Sequence, residues 1–119
     1  MNQINLGQLI DLLNQRPQNQ GVSFDFCGTV PDSVDSYRGY YDQLAVGWCH
    51  GGKPQTVAGL LAILEGAVGT TYEGWKGGEY VMSRRTPLWV SNPGECGQTI
   101  ITGLAGDVHT VIETRWLPW

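Results

Sequence analysis

Charge is what this sequence has least of. Only 15% of its 119 residues are Asp, Glu, Lys or Arg, and seven cations against eleven carboxylates leave a formal net charge of −4. A protein that tracks DNA or RNA carries a basic surface, so no long nucleic acid is expected as a partner. Cysteine is scarce and odd in number: Cys27, Cys49 and Cys96. Met1-Asn2-Gln3-Ile4-Asn5-Leu6 is polar and leads into a helix rather than a secretory leader. The expectation is therefore free thiols in a reducing compartment. The two histidines are His50 and His109, and Cys49-His50 is adjacent rather than spaced, which is the wrong pattern for zinc. No apolar run approaches the roughly 20 residues that span a bilayer, so no membrane is expected. Gly51-Gly52-Lys53-Pro54 is not a phosphate loop, because Pro stands where that motif needs Ser or Thr. Nucleophile-elbow, zincin and dinucleotide-fingerprint motifs are missing as well, and no cofactor is expected.

What is present is an ordered domain's composition. Hydrophobic content is 41% against that low charge, and 17 glycines point to many tight turns rather than disorder. Residues 1–119 fit one domain with a core of its own. Five Trp and five Tyr are many for this length, so most belong to the core and a few line a pocket or interface.

Periodicity predicts an α+β fold, with two helices packed on a mainly antiparallel sheet. Leu6, Leu9, Ile10 and Leu13 make one stripe of a first helix that Asn5 can cap. Val22, Phe24 and Phe26 alternate with Ser23 and Asp25 in a first strand. Thr29 to Asp35 reads as a turn-rich loop. The run from Tyr40 to Trp48 alternates and is expected at the centre of the sheet. Val57, Leu60, Leu61 and Leu64 predict a second helix to about Val68. Tyr72 to Tyr80 reads as a hairpin turning at Gly77-Gly78. Thr86-Pro87-Leu88-Trp89-Val90 reads as a strand with Pro at its start, hence an edge. Gln98 to Leu104 and Val108 to Trp116 predict a closing hairpin.

Candidate function sits where rings, cations and glycines interleave. Tyr37-Arg38-Gly39-Tyr40-Tyr41, Trp75-Lys76-Gly77-Gly78-Glu79-Tyr80 and Arg84-Arg85-Thr86-Pro87-Leu88-Trp89 each combine them. Arg grips phosphate as a fork, Lys as a point charge, aromatic rings stack bases, and Gly lets a backbone approach a ligand. The ligand-binding candidates are Tyr37, Arg38, Tyr40, Trp75, Lys76, Arg84, Arg85 and Asp25, the last because strands are depleted in Asp. In the competing reading the rings are core, the Arg residues pair with carboxylates, and Asp25 accepts hydrogen bonds from the fold. Catalysis by Cys49 or Cys96 with a His has no second element to fix it. No catalytic residue is expected.

These segments resemble a known group. Phe24-Asp25-Phe26-Cys27-Gly28, then Pro31 and Asp35-Ser36-Tyr37-Arg38-Gly39-Tyr40-Tyr41, Gly74-Trp75-Lys76-Gly77-Gly78-Glu79-Tyr80 and Thr86-Pro87-Leu88-Trp89-Val90 with Asn92 are similar to motifs of a family of small tailed-phage proteins. The resemblance spans about Val22 to Thr102 and implies a host bacterial cytoplasm. Phage genomes also encode unrelated small proteins that capture nucleotide immune signals. By that analogy of setting, the expectation is a non-catalytic anti-defence protein that sequesters a small nucleotide-type ligand, as a homo-oligomer. The alternatives are a protein–protein inhibitor of a host defence factor or a small nucleotide-processing enzyme. Trp116-Leu117-Pro118-Trp119 is expected to be buried, on the domain or on a second copy.

Overall fold

Helix α1 (Leu6–Asn14) begins with a reciprocal cap. The Asn5 side chain accepts from the Gln8 amide at 2.8 Å, and the Gln8 side chain accepts from the Asn5 amide at 2.9 Å. Two orphan donors of the first turn are satisfied this way. The Leu6, Leu9, Ile10 and Leu13 stripe is buried, as its spacing requires. Helix α2 (Val57–Ala67) is capped by Thr56, whose hydroxyl accepts from the Gly59 amide at 3.0 Å. It ends at Val68, and Gly69 follows with φ +81°, a conformation that suits glycine. The computed structural model describes residues 3–26, 29–37, 40–50, 54–73, 79–91 and 98–117.

The strands are β1 (Gly21–Phe24), β2 (Thr29–Tyr37), β3 (Tyr40–His50), β4 (Gln55–Thr56), β5 (Thr71–Glu73), β6 (Glu79–Val81), β7 (Leu88–Val90), β8 (Gln98–Ala105) and β9 (Thr110–Leu117). Seven of them form one sheet in the order β2-β3-β7-β8-β9-β1-β4, and β5 pairs with β6 separately. Within the sheet β3–β7 and β1–β9 are parallel and the other neighbours antiparallel. The two ends of this order approach one another, because the Gln55 side-chain amide donates to the Pro31 carbonyl at 3.2 Å. The sheet therefore curls, with β4 brought back beside β2.

One core lies between the helices and the sheet. Leu44 and Val46 of β3, Leu88 and Val90 of β7, Ile101, Ile112, Val22 and Phe24 pack with both helix stripes. Phe24, Phe26 and Trp48 extend it as an aromatic run, with ring centroids 5.1 and 5.7 Å apart. The Trp48 indole donates to the Ser91 carbonyl at 2.9 Å. On the other face of the sheet Ala45, Trp89 and Ile100 form a second, smaller buried cluster. The radius of gyration is 13.5 Å, the value of about 13.5 Å expected for one compact domain of this length. The fold is thus α+β, a single small domain with two helices and a mostly antiparallel sheet.

Three sequence expectations need correction. Thr29–Tyr37 is a strand, not a loop; it pairs along β3 from Thr29↔His50 to Tyr37↔Tyr40, with bulges. As the first strand in the order it can hold Pro31 and two Asp residues, which an inner strand would reject. The β3 run is second from that edge rather than central, and β8 takes the middle. Strand β7 lies inside the sheet, between β3 and β8. Pro87 precedes it, so no ladder donor is lost, and the Pro87 carbonyl accepts from the Leu44 amide at 3.2 Å.

Candidate functional site

The parallel register of β3 and β7 decides which candidates meet. Leu44 stands beside Leu88 and Val46 beside Val90, so both strands start at the same end of the sheet. At that end β2 and β3 are joined across Tyr37↔Tyr40. The turn before β7 carries Arg84 and Arg85. The start of β3 and the arginine turn before β7 thus lie toward the same end of adjacent strands. Of Tyr37 and Tyr40 only the strand backbone belongs to the described set. Arg38, Trp75 and Lys76 lie outside the described residues.

The turn that presents the two arginines is tightly built. The Ser83 amide donates to Thr86 Oγ1 at 2.8 Å, the Thr86 amide to the Ser83 carbonyl at 3.1 Å, and the Arg85 amide to Ser83 Oγ at 3.2 Å. Thr86 is buried, while Arg84 and Arg85 project outward. The turn is also held to α1: the Leu6 amide donates to the Thr86 carbonyl and the Gly7 amide to the Arg84 carbonyl, both at 2.8 Å. Only glycine allows that approach at position 7, since a Cβ there would lie 2.9 Å from Arg84 Cβ.

Arg84 is paired with a carboxylate, as the competing reading of the sequence has it. Its Nη2 donates to Asp11 Oδ1 at 2.8 Å and to the Gly7 carbonyl at 3.2 Å. Those side chains are 52% and 63% exposed, so solvent screens the pair and its worth is below about 1 kcal/mol. Arg85 makes no ion pair among the described residues. Arg84 also lines an open groove of about 440 Å³ with Ile10, Asn14, Glu65 and Val68, between the C-terminal ends of α1 and α2. None of those four was a ligand-binding candidate from the sequence.

Asp25 belongs elsewhere. Its carboxylate accepts from the Thr114 amide at 2.9 Å and from the Thr114 hydroxyl at 2.5 Å, tying the end of β1 to β9. Strands β8 and β9 separate β1 from β7. That is three strand spacings, about 14 Å. Asp25 is accordingly a structural acceptor and not a partner of Arg84 or Arg85, which is the competing reading of its sequence position.

One contact with catalytic overtones was not anticipated. Ser23 Oγ and His109 Nε2 lie 2.9 Å apart, because β1 and β9 run parallel with Ser23 beside Val111. The imidazole packs on Gly21, where an added Cβ would meet Nδ1 and Cε1 at 2.9 Å. A Ser–His pair becomes a nucleophile only with a group that orients the imidazole and with donors for an oxyanion. Among the described residues no carboxylate is bonded to His109, and Ser23 sits within a strand rather than on a donor-rich turn. The pair instead joins the β8–β9 turn to β1. Arg16, donating to the Gly106 carbonyl, and Gln20, donating to the Asp107 carbonyl at 2.7 Å, hold the same turn.

Among the described residues no group of three or more His, Cys, Asp or Glu could hold a metal ion. No helix there is long and apolar enough to cross a membrane. Cys49 is half-buried on β3; Cys27 and Cys96 lie outside the described residues. Trp116 keeps 55% of its surface exposed in the single chain, so the domain itself does not bury it. No protein-family model matches the chain, and no curated protein or solved structure matches it.

Proposed function

We propose that this chain is a phage accessory protein that binds a small nucleotide-derived immune signal in the host bacterial cytoplasm and withholds it without chemical change. The observation that supports this reading is the parallel β3–β7 register, by which β3 and the strand that follows Arg84–Arg85 start at the same end of the sheet. Cations on a well-bonded turn and aromatic rings are the parts that a phosphate and a base require. Arg85 takes phosphate, Arg84 assists as it exchanges Asp11 for the ligand, and Arg38, Tyr37, Tyr40, Trp75 and Lys76 complete the site. Asp25 is left out of it. A sequestering protein works by affinity and abundance, so it needs no catalytic group.

Self-association belongs to the same proposal. The half-exposed Trp116 is an apolar surface that a second copy would cover, giving an isologous contact. A light-scattering mass of one chain at micromolar concentration would remove the oligomer and leave the ligand site standing. For the site itself, one charge-assisted contact contributes about 1.5–3 kcal/mol, so Arg85→Ala should weaken nucleotide binding roughly ten- to hundredfold in calorimetric titration. The thermal melt should stay unchanged, because among the described residues the Arg85 side chain makes no ion pair. Normal affinity in that variant would sink the phosphate role.

A further inference from the structure

We draw no further inference here: the strongest candidate, the exposed stripe of Ala58, Ala62 and Gly66 along the outer face of α2, is a run of small residues, and nothing in the structure shows what covers it.

Discussion

Asp25 and Arg85 are both exposed charged residues, yet the fold treats them in opposite ways. Asp25 gives both carboxylate oxygens to Thr114, and so closes the corner between β1 and β9. Arg85 fixes its backbone through Ser83 and leaves its guanidinium without an ion pair among the described residues. A charge whose bonds are met within the chain is part of the fold, and a charge held on a rigid turn without a partner is free to meet something else. Arg84 stands between the two, tied to Asp11 by a bond that costs little to exchange.

That contrast yields a graded set of outcomes. Leu88 is fully buried in the strand that follows the arginine turn. Leu88→Ala should lower stability by about 2–5 kcal/mol in denaturant unfolding. A smaller loss would mean that the core beneath the turn is loosely packed. Asp25→Ala should cost about 1–2 kcal/mol and leave ligand affinity untouched. Any fall in affinity larger than threefold would return Asp25 to the site and break the comparison. Asn5→Ala removes the side-chain half of the capping box and should cost about 1 kcal/mol in the same unfolding measurement. Asp11→Ala should change stability by less than about 1 kcal/mol. It should also tighten phosphate binding, since Arg84 loses its competitor; weaker binding would show that Asp11 positions Arg84 for the ligand.

Much of the fold could be read from residue spacing, and the exceptions have physical causes. The α1 stripe and Asn5 cap, the α2 stripe, the β5–β6 hairpin and the closing β8–β9 hairpin are all local patterns, visible within a dozen residues. Strand β2 was hidden because Pro31, Asp32 and Asp35 are turn formers by composition. Only its place at the start of the strand order makes them tolerable there, and that is a fact of tertiary pairing. The inner place of β7 was hidden for a related reason. Leu88, Trp89 and Val90 are all buried, two in the main core and Trp89 in the cluster with Ala45 and Ile100. A three-residue run without alternation does not announce two covered faces.

The candidate site was legible in part. Spacing singled out Arg84 and Arg85, but their relation to the Tyr37–Tyr40 hairpin depends on the β3–β7 register, which joins segments more than forty residues apart. Asp11 as the partner of Arg84 was equally out of reach, because seventy-three residues separate them.

The central claim is that an intact nucleotide-derived molecule occupies the site. The most direct measurement purifies the protein from infected bacteria in which the defence signal is being made, denatures it by heat, and identifies the released small molecules by mass spectrometry. The account predicts one phosphorylated nucleotide species, chemically intact, near one equivalent per site, and lost from protein carrying Arg85→Ala. Release of no nucleotide, or of a cleaved product whose formation stops when Ser23 or His109 is replaced, would contradict it.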